Sequence, residues 1–236
     1  MVEPVETIDV AVVGAGFAGL LAAHNMRKLG LTVQGIEKGP EVGGTWYWNR
    51  YPGLRCDVES VEYSYSWDEE LQQDWTWSER YSAQPEILEY AKHVADRFKI
   101  RELFQFNTAV TGATFDDAAN TWTVTTDKGE SITARWVIMA TGALSTPKPI
   151  DIKGHESFQG QSLYSTDWPS TPVDFSGKRV AVVGTGSTGI QLATEIAKSA
   201  KELFVLQRTP SWSVPANNKP LTAEYVASVK SNYAAE

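Results

Sequence analysis

The sequence has 236 residues, 42% of them hydrophobic and 21% charged, ordinary proportions for a globular chain able to bury a sizeable core. Its 29 acidic residues outweigh 21 basic ones, for a net charge of −8, which speaks against a nucleic-acid partner, since that needs a basic face. The single cysteine, Cys56, excludes a disulfide framework and a cysteine-rich zinc site, and no apolar run reaches the ~18 residues of a membrane span.

The N-terminal stretch MVEPVETIDV is acidic and enters an apolar run without a basic segment or a small-residue cleavage site, so no signal peptide and a cytoplasmic location are expected. Residues 8–13 (IDVAVV) read as a strand covered on both faces. Gly14-Ala-Gly16-Phe-Ala-Gly19 follows, then a helical stretch closing at Gly30, then a second strand from Thr32 to Ile36 that ends at Glu37. The aromatic segment from Gly43 to about Tyr81 carries no regular period. Trp67, Trp75, Trp77 and Tyr81 in it are expected to pack in a core or a domain interface rather than to touch a substrate.

Pro85 opens a helix to about residue 99, with Ile87, Leu88, Ala91, Val94, Ala95 and Phe98 as one stripe. Residues 108–134 alternate as a β-meander with Asp127-Lys-Gly129 as a tight turn, and 136–140 returns as a separate apolar strand. A proline-punctuated connector leads to a second strand–glycine–helix–strand run. It comprises 179–183, Gly184-Thr-Gly186-Ser-Thr-Gly189, a helix from about 187 to 200, and a strand ending at Arg208. The remaining stretch after Arg208 includes a helix-like LTAEYVASVKSNYAAE, and the chain is expected to be the N-terminal part or a fragment of a longer protein.

Glycines at this spacing, after a strand and before a helix, let backbone approach a pyrophosphate at the positive end of the helix. The predicted fold class is therefore α/β, with two dinucleotide-binding Rossmann-like (three-layer βαβ) units and a β-meander inserted in the first. Glu37 lies 23 residues after Gly14, where a carboxylate accepts ribose hydroxyls. Arg208 lies 24 residues after Gly184 and is taken as the equivalent position, where a guanidinium pairs with a 2′-phosphate; Thr209 adds a hydroxyl. The first unit thus suits FAD or NAD and the second NADP, with FAD and NADPH as the expected pair. The expected domains are 1–142 for FAD, 143–177 as linker and 178–236 for NADP. His24, His93 and His155 are scattered, so no metal is expected, and no G-x-S-x-G elbow supports a serine hydrolase.

Gly44-Thr-Trp46, four residues, Tyr51-Pro52-Gly53, three residues and Asp57 resemble a motif of the flavin-dependent Baeyer–Villiger monooxygenases. Phe158-Gln-Gly160, then Tyr164, then Trp168-Pro169 resembles that family's second fingerprint, with Tyr164 where the family usually has histidine. The resemblance implies FAD contacts at Gly14, Gly16, Ala18, Gly19, Glu37, Thr45, Trp46, Asp57, Tyr63 and the backbone of Val110. It implies NADP contacts at Arg55, Thr185, Gly186, Ser187, Thr188, Gly189, Gln191, Arg208 and Thr209. The implied reaction uses NADPH and O₂ to turn a ketone into an ester or lactone through a C4a-peroxyflavin, with Asp57 orienting an active-site arginine. N-hydroxylating and S-oxidising flavin monooxygenases share the two-nucleotide plan but typically lack the Trp-Pro ending, and a non-catalytic nucleotide-binding fragment is the other alternative.

Overall fold

The apolar run Ile8–Val13 becomes β1, at the centre of a six-stranded sheet. The computed structural model describes residues 7–144, 146–148 and 150–233. Their fold is mixed α/β, in two compact units by contact: Met1–Trp48 with Leu88–Lys148, and Asn49–Ile87 with Pro149–Glu236. Residues 49–87 therefore group with the C-terminal part of the chain.

In the first unit β1 leads through helix α1 (Phe17–Lys28) to β2 (Val33–Ile36), which pairs with β1 in parallel. Helix α2 (Thr45–Trp48) follows, and the second unit begins with helix α3 (Glu69–Asp74), capped by the Asp68 side chain. Helix α4 (Gln84–Arg97) buries Tyr90, Ala91, Val94 and Ala95, residues three to four apart on one stripe. The turn just past its C-terminus is held by α1, because the Arg27 guanidinium donates to the carbonyls of Phe98 and Lys99.

Strand β3 (Phe104–Gln105) is too short to show a pattern, yet it adds a parallel edge to β2. The meander expected over 108–134 is present as β4 (Val110–Asp116) and β5 (Thr121–Thr126), the Asp127-Lys-Gly129 turn, and β6 (Ser131–Met139). The separate strand expected at 136–140 is instead a continuation of β6. Its first half pairs antiparallel with β5 up to Ala134, and from there it runs parallel to β1. One strand thus carries the meander into the parallel sheet, giving the order β3-β2-β1-β6-β5-β4.

Ala11, Ile36, Val124, Ile132 and Ala134 close into one buried cluster, with Ile8, Val110 and Val137 against it. Each large aliphatic side chain so buried contributes roughly 1.5–3 kcal/mol.

In the second unit β7 (Arg179–Val183), helix α5 (Ser187–Ile196) and β8 (Glu202–Leu206) form a parallel pair of strands joined by a helix. Val183, Phe204, Val205 and Leu206 stay exposed, unlike Val10, Ala11 and Val12 of β1. Helix α6 (Ala223–Ser231) is tied down by Lys230, whose ammonium donates to the Gln73 carbonyl and Thr76 Oγ1. Trp77 is core as expected, its indole donating to Ser64 Oγ at 2.8 Å, and Trp75 meets it edge-on. No helix among the described residues is long and apolar enough to cross a membrane.

Ile36→Ala truncates the more deeply buried of the two isoleucines in the five-residue cluster, and a loss of about 2–5 kcal/mol is expected in urea unfolding. A loss below about 1 kcal/mol would mean that the sheet does not close on this cluster.

Candidate functional site

Gly14 follows β1 with φ +101°, and a Cβ there would stand 2.6 Å from the carbonyl oxygen of Ala140, just past the end of the neighbouring β6. A Cβ on Gly19 would overlap the Gly14 carbonyl, so only glycine lets α1 lie this close to the strand end. Helix α1 starts from Gly16 with no side-chain cap and no acidic residue in its first turn. Its first N–H groups and positive dipole end are left for an anion.

Glu37, just beyond β2, is 5% exposed and closes this turn from the other side. Its Oε2 accepts the Ala15 N–H and its Oε1 the Gly39 N–H, both at 2.7 Å. Each carboxylate oxygen keeps acceptor capacity for a further donor such as a ribose hydroxyl. Gly43 donates to the Ala15 carbonyl at 2.9 Å and Gly44 lies against Gly16, so α2, with Thr45 and buried Trp46, begins beside the same turn. Ala18 is exposed in the first turn of α1, and Val110 opens β4 against the Ile36 cluster. Gly14, Gly16, Gly19, Glu37, Thr45 and Trp46 are thus brought together. The glycine cradle, the uncapped helix and the carboxylate fit the pyrophosphate and ribose of a dinucleotide such as FAD.

The second turn repeats the first. Gly184 has φ +105°, and a Cβ on Gly189 would overlap the Gly184 carbonyl. Gly186 opens α5 without a side-chain cap or an acidic first turn. The Gly14 N–H donates to Ile36 O at 2.8 Å, and the Gly184 N–H to Leu206 O at 2.9 Å.

The registers match as well: Val13 faces Ile36, and Val183 faces Leu206. The residue in the place of Glu37 is therefore Gln207, and Arg208 stands one position later, where the first unit has Lys38. This corrects the equivalence drawn from spacing. A neutral amide, which does not repel a phosphate, stands where the first unit has a carboxylate, and it donates to Thr185 Oγ1 at 3.0 Å. Arg208 and Thr209 follow it and are exposed. An uncapped helix, a neutral strand end and an adjacent guanidinium fit a dinucleotide carrying an extra phosphate.

Arg55 and Gln191 meet in the second unit, where Gln191 Nε2 donates to the Arg55 carbonyl at 3.1 Å. The Arg55 guanidinium points to Glu79 Oε1 at 2.6 Å and the Tyr81 carbonyl at 2.9 Å, while Asn218 holds the other Glu79 oxygen at 2.7 Å. Asp57 and Tyr63 lie in this unit rather than with the first glycine turn. Asp57 is exposed. Burial, reinforced by the Asp57 charge, raises the Tyr51 phenol above its ordinary value. The Cys56 thiol is raised likewise and stays protonated at neutral pH. In the second fingerprint Trp168 packs on Phe175 with ring centroids 6.3 Å apart, and Tyr164 is exposed.

Sequence reasoning passed over Gln207, Glu79 and the Tyr51 hydroxyl. Gln207 was within reach, because it lies 23 residues after Gly184, as Glu37 does after Gly14.

A family model described as pyridine nucleotide-disulphide oxidoreductase matches residues 11–234. The chain belongs to this family. A Baeyer–Villiger monooxygenase of Pseudooceanicola batsensis is 45% identical over 226 residues, which is 95% of this chain and 41% of that protein. A solved structure of an oxidized steroid monooxygenase bound to NADP matches 97% of this chain and 44% of its own, with 51% identity and a TM-score of 0.92. A structure of OTEMO in complex with FAD and NADP matches 96% and 44%, with 45% identity and a TM-score of 0.91. The chain spans less than half the length of these relatives, and the resemblance to Baeyer–Villiger monooxygenases read from its motifs holds.

Glu37→Gln leaves one acceptor oxygen for two backbone donors. A local cost of about 1–3 kcal/mol is expected, seen as faster hydrogen exchange at the Ala15 and Gly39 amides. Unchanged protection at both amides would refute this role of the carboxylate.

Proposed function

We propose that this chain carries the two nucleotide sites of an FAD- and NADPH-dependent Baeyer–Villiger monooxygenase, an enzyme that converts a ketone to an ester or lactone with O₂. The observation that carries the reading is the repeated glycine turn with different strand ends: a buried carboxylate at Glu37, and Gln207 followed by a cation at Arg208. Relatives described as a Baeyer–Villiger monooxygenase and as complexes with NADP or with FAD and NADP support it. The fold proposed is two Rossmann-like units, with the flavin domain on 1–142, the NADP domain on 178–236 and a linker between. A cytoplasmic location belongs to the same reading.

The first unit holds FAD. Gly14, Gly16, Ala18 and Gly19 let the pyrophosphate approach the start of α1, Glu37 accepts the ribose hydroxyls, and Thr45, Trp46 and Val110 line the cofactor. Asp57 and Tyr63 are assigned to the flavin on the resemblance alone. Bound FAD supplies the redox chemistry that carries electrons from NADPH to O₂.

The second unit holds NADPH. Thr185–Gly189 receive its pyrophosphate, and Arg208 and Thr209 pair with the 2′-phosphate, which Gln207 does not repel. Arg55 and Gln191 complete the site. Exposed Asp57, beside Tyr51 and Cys56, is proposed to hold a catalytic guanidinium in place by its charge.

The test begins with binding. The chain should take up FAD and prefer NADP⁺ over NAD⁺. Mixed anaerobically with FAD and NADPH and then given oxygen, the enzyme should turn at least one of a panel of ketones into ester or lactone. No such product from any ketone would end the monooxygenase reading. Arg208→Ala should weaken NADP⁺ about 10–100-fold and leave NAD⁺ unchanged, as expected for loss of a charge-assisted pair. Gln207→Glu should weaken NADP⁺ by at least about tenfold through repulsion. Equal affinities of the unaltered chain for NAD⁺ and NADP⁺ would remove the role given to both residues.

A further inference from the structure

Nothing in the glycine turns accounts for Tyr51-Pro52-Gly53, and its surroundings lie on α5. Pro52 and Gly53 form the centre of a tight turn, with Gly53 at φ +81° and the Leu54 N–H donating to the Tyr51 carbonyl at 3.2 Å. Proline followed by a residue of positive φ is the type II arrangement, which glycine fills without strain. The turn presses on the helix. A Cβ on Gly53 would stand 3.0 Å from the Gln191 carbonyl oxygen and 2.6 Å from Glu195 Cγ.

Tyr51 is buried, at 7% exposure, and its hydroxyl ends on the same face of α5. It donates to Gln191 Oε1 at 3.0 Å and reaches Thr188 Oγ1 at 3.2 Å. Thr188 and Gln191 are three residues apart and so are neighbours on the helix surface. The Gln191 amide is already oriented, because its nitrogen donates to the Arg55 carbonyl and its oxygen is thereby turned to Tyr51. Burial raises the phenol above its ordinary value, so it remains a donor at neutral pH.

We propose that Tyr51 is a positioning residue for NADPH. It fixes the first turn of α5, so that the Thr188 hydroxyl and the N–H groups of Gly186–Gly189 meet the cofactor's pyrophosphate in one register. This rests on the NADP reading of the second glycine turn.

Tyr51→Phe removes the hydroxyl and keeps the ring. The dissociation constant for NADP⁺ should rise about three- to tenfold, the range of one lost hydrogen bond. Binding of 2′-AMP, which has the 2′-phosphate but no pyrophosphate, should not change. Hydrogen exchange at Ile190, whose N–H closes the first bond of α5 onto Gly186 O, should accelerate in the nucleotide-free protein. Equal weakening of both ligands would make Tyr51 a general structural residue and overturn the proposal, as would unchanged NADP⁺ binding. If the unaltered chain binds neither ligand, the NADP reading falls and takes the cofactor role of Tyr51 with it. Exchange at Ile190 distinguishes that result, because it reports the Tyr51 contact without any nucleotide.

Discussion

The closest approach in each βαβ run is between the third glycine and the carbonyl of the first. Any side chain on Gly19 or Gly189 would overlap the carbonyl of Gly14 or Gly184. This proximity brings the start of the helix over the end of the strand, where its uncapped N–H groups face outward together. The rest of each site follows from it. The first glycine must turn with positive φ, the second strand must end beside the turn, and the residue just past that strand faces the loop. In the first unit that residue is Glu37, bonded at both oxygens to backbone N–H groups. In the second it is Gln207, bonded to Thr185.

A carboxylate and an amide of nearly equal shape therefore occupy the same place and give the two turns different charge. The backbone geometry is common to both, because glycine and the helix end dictate it. The difference in charge lies in one side-chain atom, oxygen against nitrogen, and in the cation that follows it. The same economy applies at Tyr51-Pro52-Gly53. There a turn of fixed type carries one hydroxyl to two acceptors on α5, and the glycine admits the helix backbone. Residues 49–87 group by contact with the C-terminal part for this reason, and through Arg55, Glu79, Tyr81 and Asn218.

The strands other than β3, the two glycine turns, the long α4 stripe and the meander were legible in the sequence, because each is dictated by local period or by residues that alone tolerate a given backbone. Glycine at 14, 16 and 19 and again at 184, 186 and 189 points to one geometry whatever surrounds it. The carboxylate at Glu37 was legible for the same reason, since it lies at a fixed distance along a short βαβ run. The two long motifs were legible as a family pattern, and the relatives named as Baeyer–Villiger monooxygenases agree with it.

What only the tertiary structure decided was pairing. Strand register placed Gln207, not Arg208, opposite Glu37's position, because ladder bonds rather than residue counts define equivalence. The change of partner at Ala134, from β5 to β1, made one strand of what reads as two, and no local signal marks such a switch. Contacts over more than a hundred residues set Tyr51 against Thr188 and Gln191, and one over 24 residues set Arg55 against Glu79, since a hydroxyl or a guanidinium in a sequence does not say which partner it will meet. Local chemistry thus determined which turns form and what each could hold. The fold determined which side chains stand beside them.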